Sequence, residues 1–383
     1  MICGIEESKL RGACLTKGVK YIGTRGDTSA PCVVIGEAPG ADEDASGIPF
    51  CGASGREQDK MMAEAGFDMT QVWFTNLYKV RPPNNELARL SEIGIPSEMF
   101  EKQLLEELGA SKPTIIICAG ATSLGFLCPE TRARRTSIPI GRWRGSLLVS
   151  PRLSWPHYVI PVQHPAFVLR EWSERQISVF IYQRAWEELC YWHNYDALAP
   201  LPQRQLIVAP PFETIVEFLR DILAKPNDLA NATAADIEMI RCRMVYSIAI
   251  ATSPDVAISW ALWDYPTDKC ARILRLLDEV LRTRKLIGQN YYSFDAHWLR
   301  TIGIESNIAE LHDTLVRHHV LWPEFEHTLH FQTMQYTREP YYKDEGRKWK
   351  PSDGKERLLR YGAKDAAVDY EIFLEQEKEF AER

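Results

Sequence analysis

Short apolar runs and longer mixed stretches alternate through the first half of this chain. The runs are "CVVIGEA", "VWFTNLY", "TIIICAG" and "HYVIPVQH"; between them lie stretches with helical spacing, such as "GREQDKMMAEAG" and "SEMFEKQLLEELG". Runs of this kind suit strands buried on both faces, and strands alternating with helices predict a parallel sheet sandwiched between helical layers, a three-layer α/β/α domain. A helical, Trp- and Tyr-rich stretch, "VFIYQRAWEELCYWHNY", closes this half. Pro200 and Pro202 in "DALAPLPQRQ" then mark a short stiff linker. The predicted organisation is a first domain over 1–195, a linker over 196–205 and a second domain over 206–383.

The second half is patterned differently. A new strand, "LIVAP", is followed by two β-rich runs, "MVYSIAIA" and "VAISW", split by the turn residues Ser253, Pro254 and Asp255. Asp236 and Glu238 fall on the strand before them and share one face, because side chains alternate along a strand. From Leu358 onward, Leu359, Ala363, Ala366, Ala367, Tyr370 and Phe373 form the apolar stripe of a helix. Tyr361 and Asp365, four apart, share a face of that helix.

Composition narrows the class. With 383 residues, 45% hydrophobic, and no apolar run of about 18, the chain reads as a soluble protein of two domains, without a membrane span or secretory segment. Nine cysteines, an odd number without any C-x-x-C, favour a reducing cytoplasm over a disulfide framework. The net charge of −7 decides little, since a protein that gathers acids around metal ions needs only a local basic track for a polyanion.

Candidate chemistry gathers at the strand ends. In an open α/β sheet, ligands bind beyond the carboxyl ends of the strands. The first run leads into "GEAPGADEDASGIPFCGASG", with Glu37, Asp42, Glu43, Asp44 and Phe50; the second ends at Asn76, and the last opens onto His164 in "HPAFVLRE". An aromatic, an amide, an imidazole and an acid so placed suit a planar heterocycle: Phe50 stacks, Asn76 pairs with its edge, and His164 meets a carbonyl.

Over about residues 25 to 190 this half resembles the uracil-DNA glycosylase superfamily, and most closely its family 4. "GEAPG", "PF.G.SG", "TN..K.RPP.N" and "HPA..L" occur in the family's order, and "IGRWRGSLL" is also similar. The resemblance implies that Phe50 stacks on an extruded uracil, Asn76 reads its Watson–Crick edge, and His164 stabilises charge developing on the pyrimidine carbonyl. It places Glu37 at the acidic position of the first motif, where it positions water or stabilises an oxocarbenium-like sugar. Family 4 members usually bind an iron–sulfur cluster through four cysteines. Here Val80 stands in the "K-C-R-P" step, Arg11 stands three residues before Cys14, and Cys3 lies at an unfamiliar spacing. No cysteine occurs between Cys51 and Cys118, so no cluster is expected.

Three or four carboxylates from separate segments are what a two-metal phosphodiesterase needs, with hard oxygen ligands for two Mg²⁺ or Mn²⁺ ions. Asp236 and Glu238, then Asp295 in "IGQNYYSFDAHWL", then Tyr361 and Asp365 in "RYGAKDAAVDY", supply such a series. Residues 205 to 383 resemble the DnaQ-like 3′–5′ exonuclease domain of family A DNA polymerases, an RNase H-like α/β fold. That resemblance implies Asp236, Glu238, Asp295 and Asp365 as metal ligands and Tyr361 as the residue orienting the attacking water.

Together these readings predict a DNA replication or repair enzyme acting on single strands or frayed 3′ ends in a bacterial or virus-infected cytoplasm, with domain content suggestive of a phage. Two versions stay open. In one, both domains are active. In the other, the exonuclease proofreads for a separately encoded DNA polymerase and an inactive glycosylase-like domain only binds DNA. Arg132, Arg134, Arg135, Arg142, Trp143 and Arg144 suit either phosphate contact or a solvated loop. His312, His318, His319, His327 and His330 crowd together without a recognisable zinc spacing.

Overall fold

Uninterrupted apolar runs in the first half become four short strands: β1 (Cys32–Gly36), β2 (Val72–Asn76), β3 (Ile115–Ala119) and β4 (Tyr158–Val162). Every residue of all four is buried, as strands covered on both faces must be. They form one parallel sheet in the order β2-β1-β3-β4. One face carries Val33, Ile35, Trp73, Ile116 and Val159 against Leu104 and Leu108 of the helix Ser97–Ser111. The helices Ala53–Glu64 and Glu174–Tyr195 bury Met61, Met62, Ile177, Ile181 and Tyr182.

The structure is a computed structural model and describes residues 4–132, 139–240, 244–347 and 349–383. Arg134, Arg135 and Cys3 therefore lie outside the described residues. The chain divides into two compact units, Met1–Pro200 and Leu201–Arg383. Among the described residues no helix is long and apolar enough to cross a membrane.

The second unit is built on a mixed sheet. Its strands are β5 (Gln205–Val208), β6 (Thr233–Ile240), β7 (Met244–Ser253), β8 (Val256–Ala261), β9 (Leu286–Gly288) and β10 (Leu311–Asp313), in the order β10-β9-β6-β7-β8-β5. The centre, β6-β7-β8, is antiparallel, while β9, β10 and β5 join in parallel. Its two faces differ in size of side chain. Ile237, Ile248, Ile250, Ile258 and Trp260 point toward Ile215, Leu219 and Leu277 of the helices Phe212–Ala224 and Thr267–Thr283. The opposite face is alanine, with Ala234, Ala249, Ala251 and Ala257 meeting Ala363, Ala366 and Ala367 of the long helix Lys355–Glu382. Small residues on both partners let this helix lie close to the strands. Asp236 and Glu238 alternate with Ala235 and Ile237, so they project from the alanine face, toward the helix.

Candidate functional site

In the first unit, Gly36 and Asn76 are paired across β1 and β2 at the carboxyl edge of the sheet. A Cβ on Gly36 would lie 2.4 Å from Asn76 Oδ1 and 2.7 Å from Phe50 Cζ, so only glycine lets these two side chains converge there. Phe50 sits in the left-handed region at φ 57°, and its ring lies 5.4 Å from that of Phe74. Of the three acids following Glu37, the structure singles out Glu43. Its buried carboxylate accepts from the backbone N–H of Gly40 and of Gly52, each at 3.0 Å, tying together the two arms of the loop that carries Phe50. Glu37 accepts a hydrogen bond from the hydroxyl of Thr122.

Those residues enclose a cavity of about 410 Å³ lined by Glu37, Phe50, Asn76, Asn85, His164 and Arg170. His164 ends the segment after β4, and its Nδ1 accepts from the Ala166 backbone N–H at 3.2 Å. This assigns the ring proton to Nε2. Burial lowers the His164 pKa, and the Arg170 charge lowers it further, against the opposing pull of Glu37 and Glu43. The site thus holds a neutral imidazole with one N–H to donate, a buried amide, an aromatic face and a carboxylate. All four residues predicted for this pocket come together in it.

Comparison with known proteins matches the Uracil DNA glycosylase superfamily to residues 24–190. A type-4 uracil-DNA glycosylase of Archaeoglobus fulgidus is 35% identical over 149 residues, covering 39% of this chain and 72% of that protein. One from Thermotoga maritima is 30% identical over 151 residues, 39% of this chain and 71% of its own length. A third, from Saccharolobus solfataricus, is 34% identical over 145 residues, 38% and 64% of the two chains. The chain belongs to the uracil-DNA glycosylase superfamily. The matched segment ends at residue 190, ahead of the second unit, which begins at Leu201.

The glycosylase-superfamily domain departs from its family 4 resemblance where cluster cysteines are implied. Val80 is fully buried, and Leu10, Leu90, Ile95 and Phe100 pack with it and with Cys14, the one thiol of this cluster among the described residues. Burial raises the Cys14 pKa, which disfavours the thiolate that iron binding requires. This apolar packing does not fit a group held by four thiolates. Cys118, on β3, and Cys128 are buried elsewhere, in the apolar core on one face of the sheet.

In the second unit, Asp236, Glu238 and Asp365 offer carboxylate oxygens that all lie within 4.8 Å of one another. The helix Lys355–Glu382 brings Asp365 to the strand; Gly362, one turn before it, approaches closely, its virtual Cβ 3.5 Å from Glu238 Cγ and 3.7 Å from Asp236 Oδ2. The β6–β7 register shifts just after Glu238, a bulge at the edge of the acid cluster. Asp295 is buried at the start of the helix Asp295–Thr301, and its Oδ1 accepts from the Ile237 N–H at 3.0 Å. It therefore abuts the strand bearing the acids, but stands apart from the close set of three.

Three acids here carry charge only at a cost. Burial, and then the neighbouring carboxylates, raise the pKa of Asp236 well above the usual range. The same causes push Glu238 up to about 8. Burial also raises Asp295, in the face of its backbone hydrogen bonds. Asp236 Oδ2 is buried with no hydrogen-bond partner among the described residues. Converging, mutually repelling carboxylates with an orphaned oxygen fit a divalent cation.

Tyr361 stands beside this cluster. Burial first, then Asp365, Glu238 and Asp236, raise its pKa, so the phenol keeps its proton. Sequence reasoning missed Lys343, a buried ammonium 2.7 Å from Asp365 Oδ1 and 5.2 Å from the Tyr361 ring centroid. It missed Asp369 too, buried one turn past Asp365 and held at 2.5 Å by the Thr314 hydroxyl, with burial raising its pKa to about 7. Of the five histidines, three form a chain: His327 links His318 at 2.7 Å to His319 at 2.9 Å, and His318 continues to Gln335 at 2.9 Å. Both ring nitrogens of His327 are engaged in it. In the basic stretch, Arg144 is an ion-pair partner of Glu174 at 2.6 Å.

Proposed function

We propose that the chain is a DNA repair or replication enzyme with two separate chemistries: uracil excision in the first unit and metal-dependent 3′–5′ exonucleolysis in the second. The observation that carries the first is the convergence of Phe50, Asn76, His164 and Glu37 on one cavity within the superfamily segment. The named relatives are type-4 uracil-DNA glycosylases. Extruding a base costs a few kcal/mol, which the Phe50 face and the Asn76 amide offset by stacking and edge hydrogen bonds. As the N-glycosidic bond breaks, negative charge grows on the pyrimidine carbonyl. His164 Nε2–H donates to it, and the neutral ring needs no proton gain or loss to do so. Glu37, held by Thr122, faces the opposite, positive charge developing on the sugar and directs the water that completes hydrolysis.

Support for the second chemistry is the trio Asp236, Glu238 and Asp365, with Asp295 adjacent, in a sheet whose alanine face is closed by the helix carrying Tyr361. These four acids would hold Mg²⁺ or Mn²⁺, which when bound supplies an activated water and charge stabilisation for the departing oxygen. Tyr361, a protonated phenol, orients the attacking water through its hydroxyl. Lys343 balances part of the carboxylate charge through Asp365. The RNase H-like, DnaQ-like assignment of this unit and its preference for frayed or single-stranded 3′ ends belong to this proposal. So does service to a DNA polymerase encoded elsewhere.

One assay tests both. A 5′-labelled single strand with one internal uracil is incubated with Mg²⁺ or with EDTA, then treated with or without alkali. A Mg²⁺-dependent ladder from the 3′ end and an alkali-dependent break at uracil in EDTA are expected. A ladder without that break would instead favour a first unit that binds DNA without excising uracil.

A further inference from the structure

The conformation of Phe50 requires a restraint, and the structure supplies one that no pocket residue provides. Phe50 is a non-glycine residue at φ 57°, a region that costs energy for a side chain with a Cβ. Two groups confine its peptide. Gly55, in the helix Ala53–Glu64, presses from below: a Cβ there would stand 2.0 Å from the Phe50 carbonyl oxygen. Arg25 pulls from the side, with Nη1 donating to that same oxygen at 3.2 Å.

Arg25 is itself fixed in three ways. Its backbone exchanges hydrogen bonds with Phe74 of β2, N to O at 3.0 Å and back at 2.8 Å. Its guanidinium forks onto Asp59 of the helix, Nη1 to Oδ2 at 3.0 Å and Nη2 to Oδ1 at 2.6 Å. Its Cζ lies 3.9 Å above the Phe74 ring, the ring that packs against Phe50. A planar, five-donor fork is the side chain that can serve a carboxylate and a carbonyl at once while stacking on an aromatic face; a lysine cannot do all three. Neither Arg25 nor Asp59 lines the cavity.

We propose that Arg25, braced by Asp59, is a positioning residue for base capture: it holds the Phe50 peptide in its left-handed conformation, and so sets the plane of the aromatic face. This rests on the reading of Phe50 as the stacking surface for the extruded base. The effect falls after DNA has bound, on the step in which the base enters the pocket.

Uracil release from a single-stranded oligonucleotide in EDTA, measured under single turnover across enzyme concentrations, separates maximal rate from half-saturation. Arg25→Ala should lower the maximal rate roughly ten-fold, the rate equivalent of the strain a left-handed non-glycine residue stores, with half-saturation little changed. Arg25→Lys should recover part of the loss, and Asp59→Asn should reproduce a smaller version of it in a folded protein. Combining Arg25→Ala with Phe50→Ala should cost no more than Phe50→Ala alone, as expected of residues acting through one another. Multiplicative losses in the double variant would overturn the proposal, as would a raised half-saturation with an unchanged maximal rate, which would make Arg25 a DNA contact. If Phe50→Ala itself released uracil at the wild-type rate, the stacking reading would fail first and the proposal with it.

Discussion

At the scale of single residues, the first site depends on which proton His164 carries. Its Nδ1 accepts from Ala166, so protonating the ring would set two N–H groups against each other, and burial already lowers its pKa below the ordinary 6.5. Uracil release should therefore be flat through neutral pH and decline only in acid, below the ordinary imidazole value of 6.5. A profile that rises as pH falls through 7 would mean that imidazolium is the working form. Asn76→Asp should depress release strongly, since a carboxylate cannot donate to the base edge that the amide meets. The residues that converge in this pocket were legible because each lies at or beyond the carboxyl end of a strand, in a distinctive loop. Glu43, Arg25 and Lys343 were not. Glu43 is one of three consecutive acids, and only the fold shows that its carboxylate, unlike those of Asp42 and Asp44, spans the loop from Gly40 to Gly52. Arg25 sits alone in a polar stretch and Lys343 in a connection without periodicity, so neither has a local signal.

At the scale of elements, both sites rely on close approach, and the two glycines concerned make opposite predictions. Gly36→Ala would set a methyl 2.4 Å from Asn76 Oδ1 and 2.7 Å from Phe50 Cζ, so both side chains that form the pocket would have to leave their places. It should abolish base release while leaving the nuclease intact. Gly362→Ala meets its neighbours at 3.5 Å and beyond, ordinary contact, and should leave 3′-end degradation within about two-fold of wild type. Ala363→Leu, by contrast, would overpack the alanine face at a cost of about 1–3 kcal/mol and move Asp365 off Asp236 and Glu238. Measuring both activities on each variant checks all three. Strand parity made the shared face of Asp236 and Glu238 readable in advance. What parity leaves unstated is that this face is built of alanine, which is why a long helix can bring a third carboxylate so close. Nor does it say that Asp295 binds the Ile237 amide outside the close trio.

At the scale of the whole molecule, the acid cluster should make the stability of the metal-free protein depend on pH. Glu238, pushed up to about 8, and Asp236 and Asp295, also raised, hold protons in the folded state at pH values where the unfolded chain has released them. The folded state then binds more protons than the unfolded one, so stability falls as pH rises from about 4.5, and the share that belongs to Glu238 is fully lost above about 8. In EDTA, the second unit should melt at lower temperature at pH 8 than at pH 5.5; Mn²⁺ should reverse the loss at pH 8, because a ligand that binds only the folded form stabilises it. Identical melting at both pH values, with no Mn²⁺ effect, would count against a cation site. The first unit has no such cluster among its described residues, so its own transition should not respond to Mn²⁺.

Two separate chemistries in one chain are tested most directly by separating them. The labelled single strand with one uracil is treated with wild type, His164→Ala and Asp236→Asn, and base release and 3′-end degradation are read on the same gel. Each variant should lose one activity and keep the other: His164→Ala retains the Mg²⁺-dependent ladder but not the break at uracil, and Asp236→Asn the reverse. Loss of both activities in either variant, or of neither in both, would contradict the account.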